Sequence, residues 1–246
     1  MRGSVSRSCP IAVVLFALVG APTIANASPS DPTVVRHELL GRSVSGRPIQ
    51  IVEIGDPDET RKLLVVGCIH GDEPAGIRIA RTLERLPPPT AADLWLVPTL
   101  NPDGVAAHTR QNAHGVDLNR NFPWHWRPLG QRGYRYYSGP GALSEPESRL
   151  AFHLILRLRP AVSIWFHQPY GLVDESGGDV RLERRFADAV GLPLVRLPRF
   201  PGSVVSWENH TFPGTTAFVV ELHAGSPSTS TVNRFARAVL ALARSS

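Results

Sequence analysis

Two histidines and a glutamate stand in this sequence where a metal ion could be held. His70 closes the apolar run "VVGCIH", and Glu73 follows three residues later, ahead of Pro74 and Gly76. His167 closes a second apolar run, "SIWFH", and a third, "FVVEL", carries Glu221. One histidine at a strand end is more often a hydrogen-bonded turn residue than a ligand. Three strand ends bearing His, His and Glu, with Glu73 beside the first, are harder to assign to turns alone. Neutral imidazole and carboxylate suit Zn2+, and two histidines with one glutamate leave its fourth position open for catalysis. Such a metal lowers the pKa of its water to about 7 and polarises a carbonyl. A carboxylate outside the ligand set then accepts the proton. The residues therefore predict His70, Glu73 and His167 as ligands of one zinc ion, with Glu221 as the general base. The competing role for Glu221 is a buried acid paired with an arginine.

These residues can meet only if the chain brings the strand ends together. In open α/β sheets a ligand sits beyond the carboxyl ends of the strands. Strands are expected within 34–55 (two, around a Gly/Ser turn), at 62–68, 93–100, 161–167 and 215–222. Helical periodicity covers 74–86, 144–158, 179–190 and 230–243, the first opened by Pro74 and closed by Pro87–Pro89. Alternating strands and helices imply a single α/β domain, a mostly parallel mixed sheet with helices on both faces. The stretch 101–143 has little periodicity and many Gly, Asn, Arg and aromatic residues, which marks a functional loop. Ser144 and Glu147 have the spacing of a capping box, so Glu147 is expected to be structural.

Composition narrows the setting. Arg2 and Arg7 precede the apolar "IAVVLFALV" at 11–19, and "ANA" at 25–27 has the form of a signal-peptidase site. The expected division is a signal peptide over 1–27 and a catalytic domain over 28–246, exported to the periplasm, cell-wall space or medium. The apolar segment is far shorter than the ~20 residues of a membrane-spanning helix, so no stable membrane insertion is expected after cleavage. The chain carries a formal charge of +5, and loss of Arg2 and Arg7 would leave +3. Its basic residues are scattered arginines with Lys62 as the only lysine, which does not describe a nucleic-acid groove. Cys68 would be alone in the mature chain, so the core must supply the stability.

Taken in order, the motifs resemble the carboxypeptidase A-like zinc carboxypeptidase family over nearly all of the mature chain. "HGDE" (70–73) looks like its His-x-x-Glu zinc pair, and "NPDG" (101–104) and "GVDLNRNFP" (115–123) follow in its order. "YSGPGALSEPES" (137–148), "WFHQP" around His167 and "VVELH" (219–223) complete the set. The resemblance implies that Arg110 stabilises the tetrahedral oxyanion, with nearby Arg127 as the competitor. It also implies that Asn119 and Arg120 grip the substrate's terminal carboxylate. A guanidinium holds a carboxylate through two parallel charge-assisted bonds, so both assignments are physically apt.

Within the family, "GCIHGDEPAG", "RQNAHGVDLNRNFP" and "GSVVSW" are most similar to bacterial murein peptide amidases, which cut between γ-D-glutamate and meso-diaminopimelate. The expected partner is a peptidoglycan-derived peptide, acted on by a monomer. "GSVVSW" (202–207) stands where the family covers the substrate side chain, so Trp207 is expected to bind substrate in place of the tyrosine of the animal enzymes. Asp174, Glu175 and Asp179 either bind the diaminopimelate ammonium or form a polar loop with a helix cap. The alternatives are a carboxypeptidase acting on ordinary peptide C-termini, an aspartoacylase- or succinylglutamate desuccinylase-like deacylase, and a non-catalytic wall-binding relative.

Overall fold

The computed structural model describes residues 33–244, together with Met1 and Gly3. Apart from Met1 and Gly3, the expected signal peptide and its cleavage point therefore lie outside the described residues. Eight strands form one sheet in the order β1-β2-β4-β3-β5-β8-β6-β7. They are β1 (Val34–Arg42), β2 (Pro48–Gly55), β3 (Lys62–Val66), β4 (Asp93–Val97), β5 (Val162–His167), β6 (Tyr170–Asp174), β7 (Leu194–Val195) and β8 (Thr216–His223). The central β4-β3-β5-β8 strands are mutually parallel, whereas β2 runs antiparallel to β4 on one side and β6 antiparallel to β8 on the other.

Parallel strands are covered on both faces, so their sequences need apolar residues in succession. "LLVV" in β3 illustrates this. Leu63 and Val65 pack into one core cluster, with α1 (Ala75–Leu83), α4 (Val180–Val190) and α6 (Thr229–Ala243). Leu64 and Val66 point the other way. They pack beneath α3 (Pro146–Leu158) and α5 (Val204–Thr211). Every element read from the sequence is present, with no end moved by more than three residues. Five features were not anticipated: α2 (Pro102–Ala107), a 3-10 turn at Leu118–Arg120, β6, β7 and α5. Among the described residues no helix is long and apolar enough to cross a membrane.

The capping box expected at Ser144 and Glu147 does not form. Pro146 takes the first helical position, so Glu145 precedes the helix and Glu147 falls one place too early to close the box. Glu147 is buried instead, accepting from the Val44 amide at 3.0 Å and from Asn112 Nδ2 at 3.0 Å. Its role is structural, but it joins distant segments rather than capping a helix.

Candidate active site

The carboxyl ends of β3, β5 and β8 lie side by side, and each delivers one chemically capable residue. His70 follows β3 after the short "GCI" connection, His167 is the last residue of β5, and His167 pairs in register with Glu221 of β8. The His70 loop is held by close backbone approach. A Cβ on Gly71 would fall 1.9 Å from the carbonyl carbon of Gly104, so both "HG" and "NPDG" require glycine there. Asn101 caps α2 by accepting from the Gly104 amide at 2.8 Å, and its Nδ2 donates to the carbonyls of Ile69 and Arg110. One amide side chain thus ties the His70 loop to the strand of chain that bears Arg110.

His70, Glu73 and His167 converge, all three buried. His70 Nδ1 lies 3.0 Å from Glu73 Oε2 and 3.1 Å from His167 Nδ1, and His167 Nδ1 lies 3.0 Å from the same Glu73 oxygen. Ligands placed tetrahedrally at zinc bond lengths stand about 3.3 Å apart, close to this spacing. Asp117 receives His70 Nε2 at 3.0 Å, which leaves the Nδ1 lone pair facing the cluster. Two imidazole nitrogens and a carboxylate oxygen crowded together make a donor set that a cation completes. The residues present fit a zinc ion.

Electrostatics follow from burial and pairing. Burial raises the Glu73 carboxyl, but His70 and His167 outweigh it and hold the group well below the usual carboxylate range. Glu221 is pushed the other way, to about 7, first by burial and then by the charge of Glu73. Its Oε2 is buried without a partner among the described residues.

Arg110 bridges Glu73 (Nη1 to Oε1, 2.8 Å) and Asp117 (Nε to Oδ2, 2.8 Å), leaving Nη2 free among the described residues. Asn119 Oδ1 accepts from the Val204 amide at 3.0 Å, so its Nδ2 donors remain for a ligand. Arg120 donates to the Asn119 carbonyl at 2.7 Å and lies against the rings of Phe200 and Tyr136. Arg110, Asn119 and Arg120 line one cavity of about 490 Å3 together with His70, Glu73, His167, Glu221, Arg127, Arg199 and Ser206.

The tertiary structure brings seven of the eight expected site residues to that cavity and excludes one. Trp207 is buried in the opposite direction, stacked on Phe152 and packed against Phe122 and Phe212. On α5 its neighbours Val205 and Ser206 face the cavity, so Trp207 is a core residue and not a substrate contact. Of the three acids considered for an ammonium, Asp174 lines the cavity, but it is paired with Arg199 at 2.8 Å. Asp179 instead caps α4 through the Arg181 amide. Glu175 does not line the cavity; its carboxylate stands 3.8 Å from Arg196. Cys68 is buried, as expected. Asp117, Tyr136, Arg199 and Ser206 also belong to the site or its support, and no motif predicts them. Asp117 lies inside "GVDLNRNFP", but nothing in that stretch shows that the fold buries it. Nothing local marks Arg199.

Comparison with known proteins agrees with this geometry. The zinc carboxypeptidase family model matches residues 23–85 and 90–173, beginning inside the expected signal peptide and ending before Glu221. Murein peptide amidase A of Escherichia coli strain K12 is 34% identical over 187 residues, covering 69% of this chain and 75% of that protein. Murein peptide amidase A of Vibrio campbellii is 30% identical over 182 residues, covering 69% and 73%. The crystal structure of a murein-tripeptide amidase from Escherichia coli O157 superposes with a TM-score of 0.72 at 28% identity, covering 88% of this chain and 95% of that one. Carboxypeptidase A from Helicoverpa armigera shares the fold, with a TM-score of 0.68 at 20% identity over 86% of this chain and 70% of that one. This chain belongs to the zinc carboxypeptidase family and is a metallopeptidase-type hydrolase.

Proposed function

We propose that this chain is an exported, monomeric amidase that hydrolyses the γ-D-glutamyl–meso-diaminopimelate bond of murein peptides. The reading of the substrate rests on similarity to murein peptide amidases along three quarters of their length. The reading of the chemistry rests on one observation above all: an unpartnered Glu221 carboxylate oxygen beside the His70–Glu73–His167 cluster.

His70, Glu73 and His167 would hold zinc, which supplies Lewis acidity toward a carbonyl oxygen and makes a water easier to deprotonate. Glu221 takes the proton of the attacking water and passes it to the leaving amine. Burial raises the Glu221 carboxyl from its ordinary value toward the operating pH, the direction that suits a group that takes up a proton and gives it back. Arg110, oriented by two carboxylates, stabilises negative charge as it develops on the carbonyl oxygen. Arg127 reaches the same cavity but is exposed and lacks that orientation. Arg120 and the free amide of Asn119 hold the α-carboxylate of the terminal diaminopimelate.

Two measurements test this. Mass spectrometry of the protein with a murein tripeptide and with ordinary L-peptides should find the tripeptide cleaved and the free diamino acid released. Efficient cleavage of ordinary peptides with the tripeptide left intact would instead make the enzyme a general carboxypeptidase. Glu221→Gln should retain zinc and lose turnover by on the order of 10²–10⁴-fold. A variant with near-normal kcat removes Glu221 from the base role.

A further inference from the structure

We propose that Arg199, clamped by Asp174, is the specificity-determining residue of the cavity. It would select a leaving amino acid whose side chain ends in a carboxylate. This rests on the amidase reading above and names what the leaving-group side of that site recognises.

Asp174 ends β6 and is only 3% exposed. Its Oδ1 accepts from the Leu197 amide at 2.8 Å and from Arg199 Nη1 at 3.1 Å. Its Oδ2 accepts from Arg199 Nη1 at 2.8 Å and from Ser176 Oγ at 2.7 Å. Both oxygens are filled, so Asp174 is not free to take a substrate ammonium; it holds Arg199. Arg199 also donates from Nη1 to the Leu197 carbonyl at 3.1 Å and from Nη2 to the Glu175 carbonyl. Nε and one Nη2 hydrogen are left without a partner among the described residues. Two free donors on one immobilised guanidinium suit a carboxylate, and little side-chain freedom remains to be lost on binding.

The position is as telling as the donors. Ser176 Oγ, besides holding Asp174, accepts from the Val219 amide at 3.2 Å. Val219 stands two residues before Glu221 on β8, so the two side chains share a face, and both line the cavity. Arg199 is therefore anchored to the strand that carries the proposed base. Its neighbour Phe200 lies under Arg120, whose guanidinium carbon is 4.5 Å from the ring centroid. Ser206 Oγ, buried without a partner among the described residues, adds a hydroxyl to the same cavity. Five arginines line the cavity against three carboxyls, an excess that favours a substrate with several acidic groups. A leaving group with its α-carboxylate on Arg120 and a second carboxylate on Arg199 uses both guanidiniums. A leaving leucine or lysine leaves the Arg199 donors desolvated and unmet.

The test uses the full zinc-loaded protein and two murein tripeptides, one ending in meso-diaminopimelate and one in lysine. The readout is the ratio of their kcat/KM values, which a general loss of activity does not move. Wild type should prefer diaminopimelate by about 10- to 100-fold, the range of a hydrogen bond to a charged group. Arg199→Gln should bring the ratio close to one. Because that change strands a buried carboxylate, the Asp174→Asn/Arg199→Gln pair is measured beside it, with calorimetry of free meso-diaminopimelate and lysine binding to the same proteins. A wild-type ratio near one, or variants that lower both substrates equally, overturns the proposal and leaves the amidase reading standing. If wild type cleaves only ordinary peptides, the amidase reading fails, and C-terminal glutamate against leucine becomes the comparison. A preference for glutamate lost in the variants then still supports Arg199; no preference overturns it.

Discussion

Asp117 carries no motif of its own, yet it touches three parts of the site at once. It receives His70 Nε2, Arg110 Nε and the Asn119 amide, and it is completely buried. Burial alone would raise its pKa, but Arg110 and then His70 outweigh it and keep the carboxylate ionised. A carboxylate behind a ligating histidine sets its tautomer, and its loss typically costs 10–100-fold in metal affinity. Asp117→Asn should therefore weaken zinc binding by about 10- to 100-fold, read by competition with a chelator. An unchanged affinity would show that His70 is oriented by packing alone. His70→Ala and His167→Ala should each abolish stoichiometric zinc in elemental analysis of folded protein. Metal retained in both variants would disprove the ligand assignment. At this scale the ligands were legible because their type and their place at apolar run ends restrict them. Asp117 was not, since an aspartate three residues before Arg120 looks like any polar loop residue until the fold buries it.

Between elements, precision comes from close backbone contact. A Cβ on Gly71 would meet the backbone of Gly104 and Val105, which cannot swing aside, and one on Gly104 would meet the Asn101 side chain and the Gln111 carbonyl. Gly71→Ala should cost at least about 2 kcal/mol of stability, in the range of overpacked cores. It should also weaken zinc binding, because relief of the clash displaces the adjacent His70. Thermal unfolding and chelator competition on the same variant check both effects, and a loss of stability without loss of affinity would separate the loop from the metal site. The long periodic elements were readable because each shows one face to a core. α5 was not, because its six-residue "VVSWEN" stretch is divided between two jobs. Val205 and Ser206 face the cavity while Trp207 and Glu208 point into the core, and this split also misdirected the Trp207 assignment. β6 escaped notice because five residues with an exposed Tyr170 are too few to show a period.

At the level of the whole molecule, the sheet separates two cores, and a buried acid lies on the α3–α5 side. Glu208 of α5 receives Ser163 Oγ at 2.6 Å and Trp165 Nε1 at 2.9 Å from β5. Burial raises its pKa to about 7, more than those two donors lower it. The native state therefore binds a proton that the unfolded chain releases above its ordinary carboxyl pKa. Stability from this group is full below about pH 4.5 and is lost as pH rises through about 7. Glutamine mimics the protonated acid, donating to Ser163 and accepting from Trp165. Glu208→Gln should gain stability over wild type between pH 5 and pH 8, by on the order of 3 kcal/mol across the full titration. Denaturant melts of the zinc-loaded proteins at both pH values measure it. A difference that does not change with pH would mean that Glu208 stays ionised in the folded protein.

The sequence by itself determined the alternation of strands and helices, and it marked His70, Glu73, His167 and Glu221 as chemically capable residues in or beside apolar runs. Each of these depends on side-chain type at a local period or at a run end, and both are properties of short stretches of chain. Only the tertiary structure decided what surrounds them. The pairing of His167 with Glu221, the support of His70 by Asp117 and the clamp of Asp174 on Arg199 join residues 25 to 54 positions apart. Such contacts arise from strand order and helix packing, and burial then converts ordinary polar residues into fixed, charged partners. No local pattern records which arginine among many will be buried against which acid. The whole sheet, assembled with its neighbours, makes that choice.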